Sequence, residues 1–331
     1  MPLTCLLTGA TGFVGSHLAE ACVARGYQLR ALVRAGSDTR LLEKLGVALH
    51  GGDLTDVAAV RKAVEGVEAV VHCAAKVGDW GPVEEYRAVN VEALRQLLDA
   101  CTGRPIQRFV HLSSLGVYPI RNHYGSDETE PLPERHVDGY TQTKVKAEKL
   151  AMEYHRRHGV PVVVLRPGFV YGPRDRTVLP KLIENLRQRR VRWLGGGKGA
   201  MNTIYVANFV DAIFLALEKP NAVGHVYNLT DGESVSKRKF IETLVKGLDL
   251  PKPPPLSVPI WLARFLAGIM EGLARLKNSP TPPLLTKARV KFLGLNLDFS
   301  IEKAKRELGY QPRFSFDQGI EETIAWYRQG A

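Results

Sequence analysis

Leu6-Leu7-Thr8-Gly9-Ala10-Thr11-Gly12-Phe13-Val14-Gly15 decides the fold. The apolar run 3–7 has the length and continuity of a parallel strand buried on both faces, and Gly9 stops it. A helical pattern then runs over 12–25 and ends at Gly26. Between them stands G-x-x-G-x-x-G. Gly9 permits a tight turn, Gly12 lets backbone N–H groups reach a pyrophosphate, and Gly15 lets helix and strand approach closely. A glycine turn without a ligand has the same letters, but the flanking strand and helix favour a dinucleotide.

Outward from this turn, strands are expected at 28–33, 47–50, 69–73, 108–112 and 160–165, with helices at 41–45, 57–64, 86–101 and 140–158. Strands separated by helices of this length form right-handed βαβ units. The fold class is therefore α/β, a Rossmann-type doubly wound parallel sheet. After Pro173 the rhythm changes, with a helix at 179–190, a glycine turn at 195–199, one more strand at 225–229 and a helix at 237–248. Residues 1–172 plus about 200–230 are expected to bind the dinucleotide. Residues from about 173–199 and 231–331 are expected to form a smaller, discontinuous C-terminal substrate domain at the strand ends, where ligands of such sheets bind.

The end of the second strand discriminates between the nicotinamide cofactors. An acidic residue there accepts from the adenosine ribose, whereas an arginine pairs with a 2′-phosphate. Arg34 stands there, which favours NADP, while Asp38 four residues on leaves NAD open. Asp53 after the third strand suits an adenine amino group, with Leu54 against the ring; capping the helix that starts near Asp56 is the equal alternative. His72-Cys73-Ala74-Ala75 ends the fourth strand, and the small Ala74 lets backbone pass close to a cofactor. His72 itself reads as a packed core histidine.

Tyr140 and Lys144 are four residues apart on an expected helix and so share a face. Free tyrosine titrates near ~10, too high for neutral acid–base work, and an adjacent ammonium lowers it. Ser114 follows the fifth strand, where its hydroxyl can donate to a reacting oxygen. Glycine turn, strand-end serine and Tyr/Lys pair, in that order, describe a nicotinamide-dependent redox enzyme.

Bulk properties exclude other classes. The 331 residues are 45% hydrophobic and 24% charged, with net charge +11 from 45 basic and 34 acidic side chains. No basic run interleaves with aromatics, which argues against nucleic acid. Cys5, Cys22, Cys73 and Cys101 show no metal spacing, so no metal is expected. They read as reduced thiols in a cytoplasmic protein without a secretory signal. The apolar stretch 256–276 is interrupted by Arg264, Glu271 and Arg275, so it is not a membrane span. A lid, an element on a membrane surface and a helix packed on its own domain all fit it.

The stretches GATGFVG (9–15), GDLTD (52–56), HCAA (72–75), AVN (88–90), HLSSLGVY (111–118), YTQTK (140–144) and RPGFVYGP (166–173) resemble the extended short-chain dehydrogenase/reductase family over essentially the whole chain. The resemblance implies that Ser114, Tyr140 and Lys144 are the catalytic set. It further implies that Gly9, Gly12, Phe13, Val14 and Gly15 hold the cofactor, that Pro167 to Val170 line the nicotinamide amide, and that Asn90 supports the active-site strand. Segments 72–81, 171–212 and 259–276 look like the 3β-hydroxysteroid dehydrogenase-like group, which includes 2-alkyl-3-oxoalkanoate reductases. The expected activity is NADP(H)-dependent redox chemistry at a 3-oxo/3-hydroxy group of a bulky apolar small molecule. Its rivals are a nucleotide-sugar epimerase or dehydratase with tightly bound NAD, and a non-catalytic NADP-sensing protein. Arg34, and Lys76 after the alanine pair, depart from the epimerase pattern; Lys76 fits a substrate carboxylate or plain solvation equally. Helices 86–101 and 140–158 are candidate contacts of a homodimer.

Overall fold

The structure is a computed structural model that describes residues 3–330. Its first half runs β1 (Thr4–Thr8), α1 (Phe13–Ala24), β2 (Gln28–Val33), α2 (Arg40–Lys44), β3 (Ala48–Gly51), α3 (Val57–Val64), β4 (Ala69–His72), α4 (Val83–Arg87), α5 (Ala93–Cys101), β5 (Arg108–Leu112), β6 (His123–Ser126) and α6 (Gly139–His158). The second half runs β7 (Val162–Pro167), β8 (Phe169–Tyr171), α7 (Leu179–Arg187), β9 (Trp193–Leu194), β10 (Ala200–Met201), β11 (Thr203–Tyr205), α8 (Val206–Glu218), β12 (Val226–Leu229), β13 (Val235–Ser236), α9 (Lys237–Gly247), β14 (Ser257–Val258), α10 (Ile260–Leu276), α11 (Lys287–Gly294), β15 (Leu297–Phe299), α12 (Glu302–Leu308) and α13 (Phe316–Arg328).

Seven strands form the central sheet in the order β12-β7-β5-β4-β1-β2-β3, every neighbouring pair parallel. The chain builds outward from β1 to β2 and β3 on one side, then crosses to β4 and continues to β5, β7 and β12. The order reverses between β1 and β4, and a crevice opens beyond the strand ends at such a point. Both sheet faces are covered. Leu7, Val71, Val110 and Val163 pack towards α1 and α8, while Leu6, Val70, Phe109 and Val162 pack towards α3, α5 and α6. That two-sided burial is why the strands read as unbroken apolar runs rather than alternating ones.

Three departures from the expected elements have local causes. The helix expected over 86–101 is α4 and α5 joined by a π-helical turn, Ala88–Glu92, whose wider winding rotates Asn90 inward. The helix expected over 179–190 stops at Arg187, and Arg189 takes a left-handed φ of 55°. The stretch 256–276 begins as a short strand, β14 beside β9, and the helix starts only after Pro259 at its N-cap.

Gly15 shows how tightly α1 is set against the turn. A Cβ there would lie 2.1 Å from the Gly9 carbonyl oxygen and 2.9 Å from the Ala10 Cα. Gly15→Ala must therefore push α1 off the turn, and is expected to lower the unfolding free energy by about 1–3 kcal/mol in urea titration.

Candidate active site

The glycine turn has the geometry of an anion cradle. Gly9 sits at φ 71°, and a Cβ there would lie 2.7 Å from the Ala74 amide nitrogen, so the ends of β1 and β4 touch through backbone. Gly12 donates its N–H to the Gly9 carbonyl at 3.0 Å and starts α1 without a side-chain cap. The N–H groups of Phe13, Val14 and Gly15 consequently have no protein acceptor among the described residues. Free donors at the positive end of a helix dipole fit a pyrophosphate. A cleft of about 340 Å³ adjoins the turn, rimmed by Arg40, Lys44, Arg174 and Arg176.

Arg34 is exposed immediately beyond β2. Asp38 is engaged elsewhere, because Arg40 donates to its carboxylate through Nε at 2.9 Å and Nη2 at 2.7 Å and holds that carboxyl down at about 2. Asp53 accepts from the Thr55 N–H at 2.8 Å and the Thr55 hydroxyl at 2.7 Å in a local turn. The cap of α3 belongs to Asp56, which accepts from the Ala58 and Ala59 N–H groups. Leu54 lies half-buried against the core beneath α3 and α5. His72 is buried, 2.8 Å from the Thr8 hydroxyl through Nδ1, and burial pushes its pKa down to about 3. It is a neutral core histidine stacked on His111.

Asp138 caps α6 by accepting from the Thr141 N–H at 2.7 Å, so the helix begins within one residue of Tyr140. Gly139 allows this start, since a Cβ there would meet the Tyr86 ring at 2.9 Å. One turn on, Lys144 is buried and its Nζ donates to the Leu112 carbonyl at 2.6 Å, at the end of β5. Ser114 follows in extended backbone and accepts from the Gly116 N–H at 3.0 Å. Its hydroxyl faces the Tyr140 phenol and opposes, as the lesser cause, the burial that pushes that phenol up to about 12. Burial also brings Lys144 down to about 8. Burial is the larger cause of the phenol's shift, and Lys144 is not among its causes.

The other sequence-level candidates occupy distinct places. Asn90 accepts from the Lys76 N–H at 2.8 Å and donates to the Lys76 carbonyl and the Thr143 hydroxyl, at 3.1 and 3.0 Å. Its amide is fully committed to protein, tying the loop after β4 to α6. Pro167 is buried at the end of β7, and Val170 is half-buried in β8 opposite Ile204. Lys76 pairs with Glu85, so its ammonium is not simply solvated.

Sequence reasoning missed two features. Glu148, a turn below Lys144, accepts from Ser113 at 2.7 Å and pairs with the buried Arg166. Arg166 in turn donates to Tyr118 at 2.7 Å. The i, i+4 spacing of Glu148 from Lys144 was the available signal, but nothing in it names Arg166 as partner. Lys291, on α11, donates to the carbonyls of Gly116 at 2.7 Å and Tyr118 at 3.2 Å, so the C-terminal segment grips the Ser114 loop. No local pattern announces that contact.

Fold and site together define a nicotinamide-dependent dehydrogenase/reductase of the short-chain type. The model described as the NAD dependent epimerase/dehydratase family matches residues 5–230, and the chain belongs to that family. It is 35% identical, over 95% of its length and 94% of the relative's, to a 4-hydroxy-2-methyl-3-oxo-4-farnesyl-3,4-dihydroquinoline-1-oxide ketoreductase of Stigmatella aurantiaca. It is 33% identical to a 2-alkyl-3-oxoalkanoate reductase of Stenotrophomonas maltophilia, covering 97% of this chain and 98% of that one. A 3-beta-hydroxysteroid dehydrogenase of Mycolicibacterium neoaurum is also 33% identical, over 97% and 90% of the two chains. The solved structure of gox2253 superposes with a TM-score of 0.83 at 30% identity over 98% of both chains.

Two outcomes follow for stability. Glu148→Ala leaves the Arg166 charge buried and unpaired, so the urea-measured unfolding free energy should fall by about 3–5 kcal/mol. The second outcome is pH-dependent. Burial lowers Lys144 to about 8, Lys237 to about 7 and Lys291 to about 8, against 10.5 ordinarily. Between pH 7 and 8 the unfolded chain holds lysine protons that the folded chain sheds, so stability should rise with pH there, before the four cysteine thiols, raised by burial, act in the opposite sense nearer pH 9. Lys237→Met should flatten the rise in urea titrations at both ends of that range.

Proposed function

We propose that the protein is an NADP(H)-dependent oxidoreductase that interconverts 3-oxo and 3-hydroxy groups on a bulky, largely apolar small molecule. The observation carrying this reading is the convergence of Tyr140, Lys144 and Ser114 at the end of β5, beside the reversal point of the sheet. The N–H groups of the turn 9–15 would hold the pyrophosphate, Arg34 the 2′-phosphate, and Asp53 with Leu54 the adenine. Ala74, Pro167 and Val170 would line the nicotinamide side. Asp38 is already paired with Arg40, which weakens it as a ribose acceptor and supports NADP over NAD. Residues 173–199 and 231–331 would shape the substrate site.

A bound nicotinamide cofactor, held by the turn 9–15, would supply or take up the hydride at the substrate carbon. Tyr140 gives its proton to the carbonyl oxygen in reduction and takes the hydroxyl proton in oxidation. Its raised pKa keeps the phenol protonated, the form that reduction needs. Lys144, with Nζ 5.9 Å from the ring centroid, stabilises the phenolate left behind. Ser114 uses its oxygen to accept from Gly116, which leaves its proton to donate to the substrate oxygen. The apolar character of the substrate rests on the similarity to the ketoreductase, the oxoalkanoate reductase and the steroid dehydrogenase.

The test is NADPH and NADH consumption with 3-keto steroids, 2-alkyl-3-keto acids and nucleotide sugars. Tyr140→Phe should lower ketone reduction by about 10²–10⁴-fold. Arg34→Ala should weaken NADPH by roughly 10–100-fold and leave NADH nearly unchanged. Conversion of a nucleotide sugar without net cofactor consumption, and no ketone reduced, would sink this reading and make the protein an epimerase.

A further inference from the structure

We propose that the outward face of α10 docks on an anionic lipid surface. Trp261, Phe265, Leu266, Ile269, Leu273 and Leu276 are all exposed, Trp261 by 71%, Phe265 by 63% and Leu276 by 81%. At helical spacing they fill an arc of roughly 140°. Leu256 and Leu284, before and after the helix in the chain, are exposed as well. The opposite side of the helix is the one that packs: Ala263 and Ala267 are fully buried against Val290, and Glu271 accepts from the Lys287 N–H at 2.6 Å. A helix packed on its own domain through its apolar face would show the reverse.

Charge identifies the occupant. Between residues 252 and 287 the exposed charged side chains are Lys252, Arg264, Arg275, Lys277 and Lys287, all basic. The one acidic residue in that span, Glu271, is buried and turned inward, 4.0 Å from the Arg275 guanidinium, which itself stays exposed. By helical spacing Arg264 and Arg275 border one edge of the apolar arc and Lys277 the other. A second copy of this face would bring two sets of three edge cations together, whereas anionic headgroups would neutralise them. Aromatic and leucine side chains between cationic edges suit a helix lying in the plane of the interface. No helix among the described residues is long and apolar enough to cross a membrane.

The attachment is firm on the protein side. Arg289 pairs with Asp79 at 2.7 Å, and Trp80 donates through Nε1 to the Ser279 carbonyl at 3.0 Å. Lys291 holds the Ser114 loop. Both loops beside the Tyr140 site are thus joined to the segment that meets the lipid. Docking does not depend on the proposed reaction, and its test uses no substrate.

The test is flotation of the full chain with vesicles of equal parts phosphatidylglycerol and phosphatidylcholine, and with phosphatidylcholine alone. The protein should float with the anionic vesicles, roughly tenfold less with phosphatidylcholine, and be released by high salt. Trp261→Glu/Phe265→Glu and Arg264→Glu/Arg275→Glu should each lower flotation by roughly tenfold or more, with far-UV circular dichroism and thermal unfolding showing intact folds. Quenching of tryptophan fluorescence by bromine-labelled acyl chains gives a readout on the unaltered protein. Absent flotation, equal binding to both lipids, no quenching, or insensitivity to both pairs of substitutions would each overturn the proposal. So would a dimer that dissociates with Trp261→Glu/Phe265→Glu.

Discussion

The hydrogen bond from the Lys144 ammonium to the Leu112 carbonyl, 2.6 Å long and buried, sets where α6 lies on the sheet. Tyr140, Lys144 and Glu148 step down one stripe of that helix at intervals of four. The phenol at the top faces Ser114, the ammonium in the middle meets the end of β5, and the carboxylate at the bottom meets Ser113 and Arg166. A slip of one residue along the helix would turn all three away together. Buried polar groups tolerate little such movement, because each loses its partner in a medium that offers no replacement. The structural contacts and the proposed chemical role therefore share one helical stripe.

The same principle operates where β1 and β4 part. Backbone contact between Gly9 and Ala74 leaves no room for side chains, and the uncapped start of α1 leaves donors unused. Basic side chains stand on the cleft rim, where Arg40 pairs with Asp38 and Arg174 with Glu20, and along the edges of α10.

Much of this was legible beforehand, because it depends on near neighbours in sequence. The glycine turn, the strands at 28–33, 69–73 and 108–112, and the Tyr140/Lys144 spacing each rest on a few adjacent residues whose periodicity is visible. The π-turn at Ala88–Glu92 was not legible, since the apolar spacing of 86–101 suits an unbroken helix equally well. Nor was the phenol's direction of shift. Spacing reveals a nearby ammonium, but it does not reveal that the fold half-buries the ring, which is the larger cause of its shift.

By itself the sequence determined the alternation of sheet strands and helices as far as β7, the tight glycine turn at residues 9–15 and the helical face shared by Tyr140 and Lys144, because backbone stereochemistry and side-chain period are local properties. Tertiary structure decided which partners the buried charges take: Arg166 for Glu148, the Leu112 carbonyl for Lys144, the Ser114 loop for Lys291. It also decided that the apolar face of α10 points outward, a choice the amphipathic pattern leaves open. Both outcomes depend on which distant segment fills the neighbouring space, and no local preference encodes that.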